Sequence, residues 1–442
     1  MTYTSPGRIH TVGDFREYLQ RQAPTLDCIE DLHRSSRLLA QSRLVVGRTA
    51  CNRFCVQPSS RSMANADGSA GPSTLEVWER AGASTAGLIW CGTELAVHES
   101  GKISPDQMYQ NSDIDMPRSL RELIRACRAG VASTGEDPDS RIIGLQLNHA
   151  GRFARSDDVS RPPSMAHHHP QLAITTDQPS DMPLLTDDQL KRIRDQFIQA
   201  ANLAQSAGFD FVSLNCSHGY LLHELLAART RHGDYGGSFD NRCRLLREII
   251  EGIQQNVQGL SLGVQLSVTD RPPYHRNPDT GEGCQIPRDE GKWPYGFGMS
   301  EHDPDKADLF EPFALLAMLQ IMKIRLVNVT IGSPAYCRHA QAPGTAADQC
   351  GYGPPVNPLD GVRRHIEATR ACKQRYPDLN IIGNGYSWLQ QYLPNVAAME
   401  IEDHHADFIG LGRIMQAYPT MPRDLLGHGL FDATWLRDLF NK

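Results

Sequence analysis

The sequence predicts a single parallel (β/α)8 barrel, and three observations carry that expectation. Eight short apolar runs recur along the chain, at residues 53–57, 86–91, 142–147, 209–214, 262–268, 326–331, 380–383 and 407–411. Each reads as a strand buried on both faces. Helical segments alternate with them, including 186–207, 241–255, 312–322 and 361–375, the pattern of strands and helices folded as one α/β unit. Side chains capable of chemistry concentrate just past the apolar runs, where a barrel exposes its C-terminal strand ends. A doubly wound open sheet is the competing arrangement, but no GxGxxG follows any of these strands, so its usual dinucleotide signature is missing.

The 442 residues would ordinarily suggest two or three domains, but α/β barrels run long as one unit, and no low-complexity linker divides this chain. Residues 1–41 read as an N-terminal helical extension that closes the barrel bottom or packs on its side, and residues 42–442 as the barrel. A hydrophobic content of 40% is ample for one large core. The formal charge of −7, with no basic run, argues against a nucleic-acid partner. No apolar stretch approaches a transmembrane span, and the start MTYTSPGRIHTVGDF lacks the regions of a signal peptide. The chain is therefore expected to be cytoplasmic, with no membrane partner. Its composition is compatible with a homo-oligomer. The 11 cysteines are scattered, and Cys55, Cys91, Cys127 and Cys372 fall within predicted elements, which suits reduced, buried thiols rather than a disulfide framework.

Local signals support the helices. Thr186-Asp187-Asp188-Gln189 has the form of a capping box, and Leu190, Ile193, Phe197, Ala200 and Ala204 then give a stripe at helical spacing for packing on a sheet. Two loops are long, residues 151–185 after the third strand and 270–309 after the fifth, and such loops usually wall the substrate site of a barrel. His167, His168 and His169 lie in the first. Three adjacent histidines in extended chain cannot all face one ion, so no metal site is expected.

The segment FDFVSLNCSHGYLLHELLAARTRHGDYGGSFDNR, from Phe209 to Arg242, is the most informative in the chain. Its strand ends in Asn215, His218 and Tyr220, two groups able to donate hydrogen bonds to one oxygen and a phenol able to deliver a proton beside it. The segment resembles the signature of the Old Yellow Enzyme family of flavin-dependent ene-reductases, and Asp234-Tyr235-Gly236-Gly237-Ser238 through Asn241-Arg242 resembles that family's YGGS…NR stretch. The resemblance implies that Asn215 and His218 grip a substrate carbonyl and that Tyr220 is the proton donor.

It also implies noncovalent FMN and NADH or NADPH as reductant, with flavin contacts gathered from several strand ends. Asn52-Arg53-Phe54-Cys55-Val56-Gln57-Pro58-Ser59-Ser60 resembles the family's NRIV-x-x-P segment, which places Gln57, Pro58 and Ser59 on one flavin face and Ser60 where a Thr or Cys tunes the ring carbonyl. Gly92-Thr93-Glu94 corresponds to a turn bordering the isoalloxazine, with Thr93 the implied contact. Gln146-Leu147-Asn148-His149-Ala150-Gly151-Arg152 resembles a QLxHxGR block, where Gln146 bonds the pyrimidine edge. A glutamine in an apolar strand otherwise requires a reason. His149 and Arg152 are read as structural, tying the loop to the barrel rim. Phosphate is expected after strands seven and eight, at Gly383 and Gly385 in Ile381-Ile382-Gly383-Asn384-Gly385 and at Gly412 and Arg413 in Gly410-Leu411-Gly412-Arg413.

Two departures stand out. Gln265 occupies the position where most relatives carry an arginine that stabilises reduced flavin, and Asn215 stands where histidine is frequent. No cysteine follows Cys372, so the iron–sulfur cluster that longer dienoyl-CoA-reductase-like relatives carry after the barrel, ahead of an added dinucleotide domain, is not expected. The implied activity is hydride transfer from NAD(P)H through FMN to an electron-poor, enone-like alkene, a small-molecule acceptor. Two other readings stay open: a flavin-binding barrel with weak or no turnover, and a cofactor-free phosphate-binding barrel.

Overall fold

The computed structural model describes residues 3–58, 63–155, 164–176, 182–288 and 291–436. All eight expected strands are present: β1 (Phe54–Val56), β2 (Leu88–Ile89), β3 (Ile142–Asn148), β4 (Phe211–Cys216), β5 (Ser261–Thr269), β6 (Leu326–Ile331), β7 (Asn380–Gly383) and β8 (Phe408–Leu411). Each pairs in parallel with the next, and the ring closes through Ile409↔Phe54 between β8 and β1 and Leu88↔Ile142 between β2 and β3. Every residue of β3, β4, β6 and β8 is buried, as strands covered by helices require.

The helix Asp187–Ala207 forms where the capping signal placed it. Thr186 Oγ1 accepts from the Gln189 backbone, the Gln189 side chain accepts from the Thr186 N–H, and Gly208 closes the far end at φ 99°. Leu190, Ile193, Phe197, Ala200 and Ala204 of this helix are buried, so its apolar stripe sits on the barrel.

Inside the barrel, Trp90 and Phe211 meet edge to face with ring centroids 5.4 Å apart, and two glycines make room for them. A Cβ on Gly144 would run into the Phe211 ring, and one on Gly263 would lie 3.0 Å from the Trp90 indole. Above this apolar floor the inward positions turn polar. Gln146 is level with Ser213, Asn215 with Gln265, and Gln265 with Asn328 in the register of β3 to β6. The floor thus supports a layer of amides at the C-terminal mouth.

Two elements ahead of β1 brace the barrel. The helix Val12–Gln22 lies on the side of the barrel, where Phe15 stacks on Tyr392 at 4.1 Å and 8°. A hairpin, Arg43–Val45 with Arg48–Ala50, was not anticipated, because its short strands lack an apolar run. It caps the bottom through Arg43–Asp407 and Arg48–Asp210, each 2.7 Å, the two aspartates standing just before β8 and β4. The two long loops pack together beside the mouth, His169 against Trp293 at 5.4 Å. Among the described residues no helix is long and apolar enough to cross a membrane.

Candidate active site

A cavity of about 1220 Å³ opens at the C-terminal mouth of the barrel, lined by Gln57, Pro58, Glu94, His218, Tyr220, Gln265, Gly385, Gly412 and Arg413 among others. Residues singled out within β5 and after β1, β4, β7 and β8 therefore share one chamber.

His218 and Tyr220 stand on a tight turn at the end of β4. His218 and Gly219 both have positive φ, 64° and 77°, and the Tyr220 N–H donates to the Ser217 carbonyl at 3.0 Å, the geometry of a type I′ turn. A non-glycine residue in this region is strained, and the neighbouring strands hold it there. The His218 N–H donates to Ser267 Oγ at 3.0 Å, and its carbonyl accepts from Ser333 Oγ at 2.6 Å. The two rings stand perpendicular, 5.8 Å apart. Burial pulls the His218 imidazole down to about 3, so the ring is neutral at working pH. Its Nε2 lies 3.3 Å from the Gln341 amide nitrogen. Burial, and after it the charge of Glu94, push the Tyr220 phenol well above its ordinary value, so Tyr220 keeps its proton.

Asn215 is placed differently from the expectation. It is only 1% exposed and lies behind the cavity wall. Its Nδ2 donates to Glu94 Oε1 at 3.2 Å, and its Oδ1 accepts from Ser217 Oγ at 2.7 Å, so its amide is already engaged. Gln146 also lies below the surface. Its Oε1 accepts from Trp90 Nε1 at 2.5 Å and Ser213 Oγ at 3.3 Å, and its Nε2 donates to Glu94 Oε1 and Gln265 Oε1, each at 2.6 Å. These four bonds use the whole amide. The group presented to the cavity above it is Gln265, whose carbonyl end is fixed by Gln146.

The other wall holds the glycines. Gly385 has φ 93°, a conformation that disfavours a side chain, and a Cβ there would press on His365 at 2.7 Å. Gly412 has no atom nearer than 4.0 Å to such a Cβ, leaving its backbone open to the chamber. Arg413 reaches Thr345 Oγ1 at 3.3 Å and also donates to the Pro343 carbonyl. Burial lowers its guanidinium to about 10, with Arg338 adding repulsion. A half-buried cation beside open glycine backbone is chemically suited to an anion. Gly383 is set back from it, its missing Cβ facing Thr369 and the Tyr386 hydroxyl at 3.1 Å, so it serves helix packing. Thr93 is fully buried and accepts from Trp78 Nε1 at 3.1 Å; it braces the wall from behind. Ser59 and Ser60 lie outside the described residues.

Arg152 and His149, read as structural, lie just past the end of β3. Arg152 donates to Glu224 Oε1 at 2.7 Å and to the His167 carbonyl, tying the loop to the rim. Its side chain also reaches the cavity wall. His149 Nδ1 accepts from the Gly151 N–H at 3.2 Å.

Three groups on the wall escaped the sequence reading. Glu94 is the most consequential: burial raises its carboxyl to about 7, against the hydrogen bonds of Gln146 and Asn215. Its signal was a carboxylate three residues past an apolar strand end. Asn384 donates to Asn328 Oδ1 at 2.6 Å, and Asn328 to Gln57 Oε1 at 2.7 Å, a relay marked in sequence by amides within β6 and just past β7 and β1. Arg338 opens a short helix, Arg338–Gln341, after β6 and carried no local signal.

The signature of the NADH:flavin oxidoreductase / NADH oxidase family matches residues 46–276. The NADPH dehydrogenase of Bacillus velezensis is 34% identical over 180 residues, covering 40% of this chain and 47% of that protein, so the chain spans about half its length. The NADPH dehydrogenase of Bacillus pumilus is 26% identical over 367 residues, 80% of this chain and 92% of that one. The structure of the old yellow enzyme homologue from Zymomonas mobilis superposes with a TM-score of 0.58 at 20% identity, covering 90% of this chain and 96% of that one, which supports the barrel itself. With the signature covering more than half of the chain and the chamber assembled from the strand ends it spans and those beyond, this protein belongs to the NADH:flavin oxidoreductase / NADH oxidase family.

Proposed function

We propose that the protein is an FMN-dependent oxidoreductase that takes hydride from NADH or NADPH and delivers it to an electron-poor alkene conjugated to a carbonyl. The observation that carries this reading is the placement of His218 and Tyr220 on one rigid turn, facing the chamber whose opposite wall holds the Gly385, Gly412 and Arg413 cradle.

The residues present fit FMN. The chamber exceeds the usual size of a ligand pocket, about 300–1,000 Å³, leaving room for a small acceptor beside the flavin. Arg413 and the glycine backbone would hold the phosphate, Gln57 and Pro58 would wall the ring, and the Gln265 amide would meet its pyrimidine edge. FMN, once reduced by NAD(P)H, supplies the hydride.

The chain supplies the rest. His218, neutral and pinned by Ser267 and Ser333, donates to the acceptor carbonyl and stabilises the charge that develops on its oxygen. Tyr220, held protonated by burial, gives its proton to the α-carbon. Burial of both groups keeps bulk water from competing.

A flavin-binding barrel with slow turnover is favoured by one feature, the dipole of Gln265 standing where a cation would help reduced flavin. A visible spectrum of the pure protein, recorded before and after anaerobic NADPH and then after 2-cyclohexen-1-one, distinguishes the readings. A flavin spectrum that bleaches and then recovers is expected. A colourless protein overturns the proposal, and a flavin that bleaches without recovering favours the slow barrel.

A further inference from the structure

Glu94 sits between the two groups on which hydride acceptance depends, the acceptor end of the chamber and the amide layer beneath it. Its two oxygens are unequal. Oε1 accepts from Gln146 Nε2 at 2.6 Å and from Asn215 Nδ2 at 3.2 Å, whereas Oε2 has only a 3.5 Å contact with Asn215. A carboxyl protonates on its less satisfied oxygen, so the neutral acid carries its proton on Oε2, on a side chain that lines the cavity.

The alternative donor is unavailable. Asn215 lies behind the wall and spends its amide on Glu94 and its carbonyl on Ser217. Resting on the function proposed above, we infer that Glu94 is a catalytic residue of acceptor reduction: its neutral acid donates from Oε2 to the acceptor oxygen opposite His218, and its carboxylate form shuts the step down. Hydride addition to the β-carbon places negative charge on that oxygen, which a neutral carboxylic acid stabilises and a carboxylate repels. The Glu94 proton is shared and not consumed; the proton that completes the product comes from Tyr220.

The surroundings make this group able to switch. Burial favours its neutral form and raises it to about 7. The titratable groups that face it are Tyr220 across the chamber and Cys91 below, both kept protonated and uncharged by burial. Its other neighbours, Gln146, Asn215 and the Gln107 amide on its carbonyl at 3.3 Å, are neutral. Among the described residues none of these partners brings a cation to hold it ionised.

The test follows reoxidation of NADPH-reduced holoenzyme by 2-cyclohexen-1-one in stopped flow from pH 5.5 to pH 9. The neutral form predominates below its pKa, so the wild-type rate should fall as pH rises, about tenfold between pH 6 and pH 8 for a group near 7. Glu94→Gln keeps a donor that does not titrate and should flatten the profile; Glu94→Ala should be slow throughout while retaining FMN. A flat wild-type profile, or the same slope persisting in Glu94→Gln, overturns the inference alone. Holoenzyme that is reduced but not reoxidised at any pH overturns the proposed acceptor chemistry with it.

Discussion

Replacing Arg413 by Ala separates cofactor retention from folding. In the wild type a half-buried guanidinium stands beside the open backbone of Gly412, and burial lowers it to about 10. A unit charge pair about 4 Å apart is worth about 4 kcal/mol at the effective dielectric near 20 of such sites. Water that enters after truncation recovers part of this, leaving about 2–4 kcal/mol of lost binding. At 1.4 kcal/mol per tenfold, the FMN dissociation constant should rise by about 30-fold to about 700-fold. The apoprotein should respond far less. It loses the hydrogen bonds to Thr345 and the Pro343 carbonyl, each worth about 1 kcal/mol, and is relieved of a desolvated cation. Fluorescence titration of apoprotein with FMN gives the first quantity, and melting curves with and without FMN give the second. The gap between holo and apo Tm should shrink in the variant. Undiminished FMN affinity would place the phosphate elsewhere in the chamber and refute the reasoning.

Other outcomes follow from the same geometry. His218→Ala removes a donor fixed by two serine contacts and should slow reoxidation by an enone about 10²–10³-fold, read as a loss in kcat/KM with FMN content unchanged. Gln265→Arg restores a cation above Gln146 and should raise the flavin midpoint potential by tens of millivolts, where about 30 mV corresponds to about 1.4 kcal/mol for a two-electron couple; a redox titration showing no rise would mean that position 265 does not act on the flavin. Gly144→Ala drives a methyl into the Phe211 ring beneath the amide layer and should destabilise by about 1–3 kcal/mol, measured by chemical denaturation.

The barrel was legible because its strands are buried on both faces and its helices carry stripes and caps. Residues 326–331 and 380–383 coincide with β6 and β7 to the residue; the polar Asn328 and Thr330 of β6 are buried with their apolar neighbours, and Gly332 and Gly383 mark where the two strands stop. The hairpin before β1 was illegible for the opposite reason: Arg43–Val45 and Arg48–Ala50 are held by ion pairs with Asp407 and Asp210, partners more than 150 residues away in sequence. At the site, His218, Tyr220, Gly412 and Arg413 were legible because each sits where a strand end delivers its side chain or backbone to the mouth. Gln146, Asn215 and Thr93 lie at the strand ends where they were read, one layer below the cavity surface. Their depth is set by which partners they meet, Trp90, Glu94 and Trp78, and no local pattern encodes those meetings. Glu94 was overlooked because a carboxylate after a strand reads as a solvated turn until Gln146 and Asn215 close over it.

The central claim is that Tyr220 protonates the acceptor and takes no part in accepting hydride from NAD(P)H. Wild-type and Tyr220→Phe holoenzymes, each reduced anaerobically by NADPH and then mixed with 2-cyclohexen-1-one while the flavin absorbance is followed, test it most directly. Phenylalanine leaves the buried ring and removes only the hydroxyl, so reduction should proceed at the wild-type rate and reoxidation should slow by about 10²–10⁴-fold. Equal reoxidation rates in the two proteins would contradict the account.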